Sequence, residues 1–423
     1  MVLQPGLASP SPRFRSIPCK GVDLDSGQRV ITIGLVISAR LESTRLEATL
    51  WPLVEHKFPR AGARLAFRNE VYELQIPEQF DSETPPFVFT VQEYYLTFLG
   101  FLAPHAAFDA VGAGTLLAAW TRLLRGEHLH NIPGMEWDTK PFAPLECGPV
   151  NLEVPRGWFK GSRALGPQKK REASPAESDP KDVRRFVRIP KAFLEDAKKK
   201  IMDELKARGS TEYVGSSDVL RAWWLKSVYG HRSLTDHTPV HVHVLINLRG
   251  LPVFANDAPL KGPYIHSTIS TIPIPPIPAS AFQAESLGAL ALCIRRSILA
   301  YTADPEAIRA DLRWRRAEAN RLEILCPCPP DAEYLFLTDY RAAKFDQLDF
   351  TGAVEGSEGM KTATRVVFVY PLLCTVLKPY RRGVNRVLMD DADAVWMSET
   401  REEKDWEDIR QTSGVTFTDS PPV

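Results

Sequence analysis

His105-Ala106-Ala107-Phe108-Asp109 stands between a predicted strand and a predicted helix. The apolar run 97–102 precedes it, and apolar side chains recur every three or four residues from 116 to 124, which is typical of a helix with one buried face. An imidazole and a carboxylate are therefore presented together where a strand gives way to a helix. A histidine in such a place can act as a general base while the aspartate holds the local geometry.

Further blocks lie on both sides of this motif, and their order along the chain is informative. They are 50–55 with 59–65, Ile132-Pro133-Gly134, Asn247-Leu248-Arg249, and Thr338-Asp339-Tyr340-Arg341 followed by Asp349-Phe350. Together with the H-x-x-x-D motif they resemble the BAHD acyltransferases, especially the fungal branch that includes the trichothecene acetyltransferases. The order of the blocks is far more specific than any one of them.

The resemblance implies an α/β fold made of two chloramphenicol-acetyltransferase-like domains with a solvent channel between them. We expect an N-terminal domain over 1–165, an exposed linker over 166–182 and a C-terminal domain over 183–423. The linker is expected from composition, because 161–182 has no aromatic residue and one large aliphatic residue, and such a stretch cannot bury itself. Each half reads strand, helix, strand, as two related domains would.

The resemblance also implies roles for particular residues. His105 would be the general base, and Asp109 would be a structural residue paired with Arg249. Thr338 would lie where the oxyanion of the tetrahedral intermediate needs a donor, and Tyr340 stands where the family has a tryptophan. A phenol can donate a hydrogen bond as an indole can.

Three departures from the family pattern matter. Ala110 replaces the usual glycine after the aspartate. Thr351-Gly352-Ala353 replaces the Gly-Trp-Gly of the DFGWG motif, and this change is expected to affect the binding of coenzyme A more than the base chemistry. Tyr264-Ile265-His266-Ser267 stands where the family often has Tyr-x-Gly-Asn. Tyr264, His266 and Ser267 are therefore candidates for the substrate channel, and the alternative is that His266 is an ordinary surface-loop histidine.

Composition excludes several classes of function. Lys plus Arg and Asp plus Glu both total 52, which argues against nucleic-acid binding because that needs a strongly basic face. No apolar run reaches the roughly 18 residues needed to span a membrane, and the first residues lack the features of a secretory signal. We therefore expect no membrane partner and, for the six scattered cysteines, a reduced state. We also expect a cytoplasmic monomer.

A metal site and a permanently bound cofactor are not expected. His241-Val242-His243 would place two rings on one side of a strand, but no carboxylate or cysteine at a typical spacing completes a ligand set. The phosphate-binding glycine motifs of nucleotide enzymes are missing. The basic runs 313–316 and 378–382 are candidates for the phosphates of coenzyme A, with solvated surface as the alternative.

The resulting prediction is an acyl-CoA-dependent transferase that moves an acyl group to a hydroxyl or amine of a small specialised metabolite, with acyl-CoA as co-substrate. One alternative is a CoA-independent cyclase or isomerase that keeps the scaffold and His105. Another is a non-catalytic binding protein on the same fold. The sequence names neither the acceptor nor the acyl chain.

Two local predictions concern the second half of the chain. Helical periodicity extends over 305–322, with Pro305 at the first turn, so one long helix is expected there. The last 35 or so residues are acidic and polar, and we expect them to be partly disordered.

Overall fold

The computed structural model describes most of the chain. The described residues are 14–19, 23, 30–68, 71–88, 97–140, 142–146, 148–161, 182–254, 262–317, 320, 323, 325–356, 363–370, 383–413 and 415–419. Of the sequence predictions, the linker over 166–182 lies outside the described residues except for Asp182, the first residue of a strand, and the basic run over 378–382 lies outside them altogether.

Sixteen strands are found in the described parts of the chain. They are β1 Phe14–Pro18, β2 Val30–Ile37, β3 Arg64–Arg68, β4 Val71–Pro77, β5 Thr97–Pro104, β6 Phe159–Lys160, β7 Asp182–Pro190, β8 Pro239–Asn247, β9 Ile269–Pro273, β10 Ile277–Pro278, β11 Leu325–Cys326, β12 Glu333–Asp339, β13 Val366–Tyr370, β14 Val384–Asp390, β15 Ala394–Glu402 and β16 Thr416–Thr418.

Eight α-helices of very different lengths lie between these strands in the described segments. They are α1 Ser43–Lys57, α2 Ala110–Leu124, α3 Lys191–Ala207, α4 Ser216–Tyr229, α5 Ala281–Ala284, α6 Leu287–Thr302, α7 Pro305–Arg313 and α8 Glu403–Ser413. Short 3₁₀ turns include Leu248–Gly250, Arg341–Ala343 and Thr351–Ala353.

The largest sheet belongs to the second half of the chain. Its order is β10-β8-β12-β14-β15-β7-β16, with β9 beside β8, and β8, β12 and β14 run parallel. Along β8 the side chains of Val240, Val242 and Val244 enter the core beneath the helices, as the period of two along a strand requires. Because β8 and β12 are parallel neighbours, their carboxyl ends meet at one edge of the sheet, and the segments that follow them lie close together.

A strand from the second half completes a sheet of the first half. The order β13-β2-β5 puts β2 in the centre, with Val30–Ile37 paired to Thr97–Pro104 on one side and to Val366–Tyr370 on the other. Phe368 is 1% exposed and packs edge-on against Phe186 and Trp396. The buried core of the first half therefore contains side chains from the second. The division at 166–182 stays a prediction.

The prediction of disorder at the C-terminus was wrong for the described residues there. Strand β15, helix α8 and strand β16 cover most of this segment. Trp406 is fully buried, packs against Trp224 and Phe417, and donates its indole N–H to the Val183 carbonyl at 2.9 Å. A few large apolar side chains thus hold a segment whose average composition is polar.

The long helix predicted over 305–322 is shorter than expected. The α-helix ends at Arg313, and Trp314–Arg316 forms a 3₁₀ turn. The amide of Asn320 donates to the Trp314 carbonyl at 3.2 Å, and such side-chain bonds compete with a continuing helix.

Among the described residues, no helix is both long and apolar enough to cross a bilayer.

Candidate active site

His105 lies in the turn that joins β5 to α2. It follows Pro104, the last residue of β5, and the turn is closed by a hydrogen bond from the Ala107 amide to the Pro104 carbonyl at 2.9 Å. The His105 side chain is half-buried, whereas Ala106, Ala107 and Phe108 are almost fully buried. The apolar residues of the motif therefore anchor the turn, and the imidazole is the part that keeps some access to solvent.

Asp109 is the N-cap of α2. Its Oδ1 accepts a hydrogen bond from the Gly112 amide at 2.7 Å, which satisfies one of the free N–H groups at the start of the helix. The residue is only 1% exposed. One carboxylate oxygen is thus used to start the helix that carries the motif.

The second oxygen of Asp109 binds the other half of the chain. Oδ2 accepts from Arg249 Nη1 at 2.7 Å, from the Thr268 amide at 2.8 Å and from Thr268 Oγ1 at 3.3 Å. A buried carboxylate needs such partners, because an uncompensated charge in the interior is costly. Asp109 therefore joins the two halves at a point four residues after His105.

Arg249 is held by the loop that contributes Thr268. Its Nη2 donates to the His266 carbonyl at 2.6 Å and to the Tyr264 carbonyl at 3.2 Å, and its Nη1 also donates to Asn247 Oδ1 at 3.2 Å. Asn247 Oδ1 in turn accepts from the Arg249 amide at 3.0 Å. The asparagine and arginine of the N-x-R segment thus form one unit at the end of β8.

Ser267 contacts the candidate base. Its Oγ lies 3.4 Å from His105 Nδ1, and the residue is 7% exposed. Hydrogen bonds in active sites are often long until the substrate is bound. The serine is 162 positions from the histidine along the chain, so only the tertiary fold brings the two together.

The His266 ring is buried between two arginines. Burial, first, and the nearby charges of Arg60 and Arg249 lower the pKa of His266 well below its ordinary value, and the contact with the Thr139 backbone offsets this only in part. Arg60 is also buried, and its Nη2 donates to the Ala106 carbonyl at 3.4 Å. A neutral His266 thus lies beside the arginine that holds the H-x-x-x-D turn from the first half.

Thr338 and Tyr340 lie at the end of β12 and just beyond it. Both are half-buried, and the Tyr340 amide donates to the Val387 carbonyl of the neighbouring strand at 2.8 Å. The turn Arg341–Ala343 follows at once and packs against α2. A Cβ atom at Gly114 of α2 would overlap the Ala343 carbonyl oxygen. The fold therefore brings the segment after Thr338 against the first turns of the helix that Asp109 caps.

Two further glycines allow equally close contacts with α2. A Cβ at Gly112 would overlap the Ile265 carbonyl, and a Cβ at Gly352 would overlap the Leu124 carbonyl. Gly112 faces the loop that carries Ser267 and Thr268, and Gly352 faces the other end of the helix. Since α2 touches backbone of the second half near both ends, the missing side chains set how closely the two halves approach.

The altered DFGWG segment keeps an ordered loop. Asp349 Oδ1 accepts from the Thr351 amide at 3.0 Å and from Thr351 Oγ1 at 2.6 Å, and Thr351 Oγ1 also accepts from the Thr364 amide at 2.7 Å. Phe350 is fully buried and packs edge-on against Trp120 of α2. The threonine hydroxyl thus supplies local hydrogen bonds in a segment where the family has glycine and tryptophan.

The histidines of β8 are structural. Burial lowers the pKa of His243 to about 4, and its Nε2 is 2.8 Å from the Pro327 carbonyl. Its ring packs against Trp158 and Phe336, and His241 packs against Phe159. Within the described residues, no group of three or more histidine, cysteine or acidic side chains is arranged to hold a metal ion.

The basic run 313–316 is bound internally. Arg313 pairs with Glu306 at 2.7 Å, Arg315 donates to the Glu323 carbonyl at 2.8 Å, and Arg316 donates to the Gly148 carbonyl at 3.1 Å. The arginines therefore tie α7 and the following turn to their surroundings.

Reasoning from sequence missed three contacts around the motif: Ser267 with His105, Thr268 with Asp109, and Arg60 with Ala106. The departure from Tyr-x-Gly-Asn marked 264–267 as a region to examine, but nothing in the sequence pointed to Thr268 or Arg60. These residues join the motif only through the packing of loops that are far apart along the chain.

Comparison with known proteins relates this geometry to fungal enzymes. The chain is 24% identical over 247 residues to acetyltransferase peniE of Penicillium patulum, covering 55% of this chain and 50% of that protein. It is 23% identical over 408 residues to acetyltransferase adrJ of Penicillium roqueforti, covering 78% and 80%. For several of these curated relatives, peniE included, the chain spans about half of their length. No family model matches the chain.

The fold is shared with solved acyltransferase structures. TRI101 of F. sporotrichioides, solved in complex with coenzyme A and T-2, superposes with a TM-score of 0.67 at 13% identity, covering 95% of this chain and 99% of that one. This likeness confirms the predicted α/β, BAHD-like fold of two chloramphenicol-acetyltransferase-like domains. The sequence relatives are fungal acetyltransferases, as the resemblance predicted.

Proposed function

We propose that this protein is an acyl-CoA-dependent acyltransferase that acts on a hydroxyl or amine of a small specialised metabolite. The observation that carries the proposal is the arrangement of His105, Asp109 and Arg249: a half-buried histidine four residues before an aspartate that forms a buried ion pair between the two halves. Support comes from the fold it shares with TRI101, whose structure contains coenzyme A, and from its acetyltransferase relatives.

His105 is the general base of the proposed reaction. It takes the proton from the acceptor hydroxyl or amine while that group attacks the carbonyl carbon of the acyl-CoA thioester. The tetrahedral intermediate then collapses, its carbon–sulfur bond breaks, and the imidazolium returns the proton to the departing CoA thiolate. A positioned histidine of this kind typically accelerates a reaction by about 10²–10⁴-fold.

Asp109 and Arg249 have a structural role in this proposal. Neither carboxylate oxygen of Asp109 is available to substrate, because Oδ1 caps α2 and Oδ2 binds Arg249 and Thr268. Thr338 and Tyr340 are the proposed donors to the oxyanion, and the turn that follows them, Arg341–Ala343, packs against the first turns of α2. Donors aimed at a developing oxyanion are among the largest contributors to catalysis.

The two proposed substrates are acyl-CoA, as co-substrate, and a small-molecule acceptor. No permanently bound cofactor is needed. The acceptor channel is proposed to include Tyr264, His266 and Ser267, although the His266 ring is almost fully buried here. We further propose a cytoplasmic monomer that binds neither membranes nor nucleic acid, with its two domains divided at 166–182.

The CoA-independent alternative rested on the altered DFGWG segment and the altered 264–267 loop. Both segments are ordered and hydrogen-bonded, and Gly352 still makes the close contact with α2 that a glycine permits. What favours acyl transfer over a cyclase, an isomerase or a non-catalytic binding protein is the fold shared with TRI101, whose structure contains coenzyme A, together with the acetyltransferase relatives.

A pair of measurements tests the proposal. Wild-type protein is titrated with coenzyme A and acetyl-CoA by calorimetry, and thiol release from acetyl-CoA is followed with a panel of hydroxylated polycyclic metabolites. A ligand at about 100 times its Kd should stabilise the fold by about 2.7 kcal/mol, which a thermal shift detects easily. Turnover of an acceptor without any CoA thioester would establish the alternative.

The decisive variant is His105→Ala, with the exposed His237→Ala as its matched control. We expect His105→Ala to unfold within a few degrees of wild type, because the side chain is only half-buried, and to lose about 10²–10⁴-fold in kcat/KM. His237→Ala should keep wild-type rates. A folded His105→Ala variant with normal turnover would rule out His105 as the base.

A further inference from the structure

The tripeptide His266-Ser267-Thr268 of the second half contacts both polar residues of the H-x-x-x-D motif and also Arg249. The His266 carbonyl accepts from Arg249 Nη2 at 2.6 Å, Ser267 Oγ lies 3.4 Å from His105 Nδ1, and the Thr268 amide donates to Asp109 Oδ2 at 2.8 Å. The flanking residues contact the ion pair, and the central one contacts the histidine. The base and its structural support are therefore organised by the same few residues.

The backbone on both sides of Ser267 is fixed by these bonds. His266 and Thr268 are 2% and 0% exposed, and each is tied to a charged group that is itself paired. The carbonyl of Ile265 also packs against Gly112 of α2. The Ser267 hydroxyl thus has a defined position beside the imidazole rather than the freedom of a loop side chain.

The chemical consequence lies in the tautomer of the imidazole. A neutral histidine carries its proton on one ring nitrogen, and the hydrogen bond made by one nitrogen decides which form is present. If Nδ1–H donates to Ser267 Oγ, the lone pair is on Nε2, and Nε2 is then the atom that can take a proton. If the proton moved to Nε2, that atom could not act as a base.

We propose that Ser267 is a positioning residue that accepts a hydrogen bond from Nδ1–H of His105 and so makes Nε2 the basic atom. The kinetic part of this inference rests on the proposed acyl transfer, whereas the tautomer can be measured without it. Ser267 stands where the Tyr-x-Gly-Asn pattern has asparagine, and an asparagine oxygen accepts a hydrogen bond as a serine oxygen does.

Ser267 also forms a serine–histidine pair, the arrangement in which a serine can act as a nucleophile. The burial of Ser267 argues against a nucleophilic role. The residue is 7% exposed, and an acylated hydroxyl would need additional space for the acyl group. No serine or cysteine lies beside His105 within the motif. The acyl group is therefore expected to pass directly from CoA to the acceptor.

The test compares Ser267→Ala with Ser267→Thr, and uses Ser270→Ala as the matched control. Ser270 lies three residues along the chain, and its Oγ is 3.1 Å from the Tyr301 hydroxyl. Protein with ¹⁵N-labelled histidine rings is studied by long-range proton–nitrogen NMR, and the His105 signals are assigned by their loss in His105→Gln. The same proteins are assayed for kcat and KM with acetyl-CoA, and their intact masses are measured afterwards.

We expect wild type, Ser267→Thr and Ser270→Ala to show the Nδ1–H tautomer, and Ser267→Ala to move toward Nε2–H. Ser267→Ala should lose about tenfold in kcat with little change in KM, which corresponds to about 1.4 kcal/mol of barrier. An unchanged tautomer in Ser267→Ala, or an acyl group found on Ser267, would overturn the inference. If the tautomer shifts but wild type never turns over acetyl-CoA, the positioning stands and the proposed function fails.

Discussion

Two buried carboxylates, each paired with an arginine, have different places in this molecule. Asp109 is 1% exposed and pairs with Arg249, 140 positions away, across the junction of the two halves. Glu399 is 0% exposed and pairs with Arg401, two positions along the same strand. Its other oxygen accepts from the indole of Trp224 at 2.7 Å, so Glu399 joins β15 to α4 within one half.

The difference separates stability from catalysis. Both ion pairs are costly to break, since a charge left alone in the interior is destabilising. Only the Asp109 pair is connected through 266–268 to His105, whereas Glu399 contacts an aromatic core far along the chain from the motif. If this comparison is right, loss of Glu399 affects folding alone, and loss of Asp109 affects folding and rate together.

The largest effect is expected for Asp109→Ala. Removing the carboxylate leaves Arg249 and the Thr268 amide without their partner and uncaps α2, so the free energy of unfolding should fall by about 3–5 kcal/mol. Turnover should fall as well, because the 264–268 loop loses its anchor. Denaturant unfolding and kcat, measured at a temperature where the variant is folded, check both parts. Full activity in the folded variant would break the proposed connection to His105.

A smaller effect is expected for Glu399→Gln. The amide oxygen can still accept from Trp224, but the Arg401 guanidinium loses its counter-charge, so we expect a loss of about 1.5–3 kcal/mol in unfolding free energy. The kcat of the folded protein should stay within about twofold of wild type. A large drop in kcat without a change in stability would remove the contrast between the two carboxylates.

The smallest of these effects is expected for Gly112→Ala, with Gly250→Ala as its control. A Cβ at Gly112 would push against the Ile265 carbonyl, and overpacking of this kind costs about 1–3 kcal/mol. Because the displaced loop carries Ser267 and Thr268, kcat should fall too. A Cβ at Gly250 meets nothing within 4 Å, so that variant should stay within about 0.5 kcal/mol of wild type. Equal behaviour of the two variants would mean that the close approach does not matter.

The sequence predicted most of the regular elements around the site because their local patterns are strong. The predicted strand over 240–248 appears as Pro239–Asn247, and the one over 334–338 as Glu333–Asp339. Alternation along these strands reflects one face packed under helices, which a single strand already reveals. The pairing of Asp109 with Arg249 was predicted from the resemblance to a family and not from periodicity.

The contacts that complete the site could not be predicted in the same way. Ser267, Thr268 and Arg60 reach the motif through loops whose course depends on the packing of both halves. The prediction of disorder in the C-terminal segment was wrong for a related reason. Its average composition is polar, and the burial of Trp406 against Trp224 is a long-range event that a local window does not contain.

The position of β13 also determines when this chain can finish folding. Ribosomes add about 5–20 residues per second, and β13 is made about 330 residues after the strand it covers. For tens of seconds during synthesis, β2 is therefore an open strand edge that can pair with another chain. The sheet of the first half is completed only after β13 of the second half has been synthesised. We therefore expect newly made chains to depend on chaperones more than the stability of the folded protein suggests.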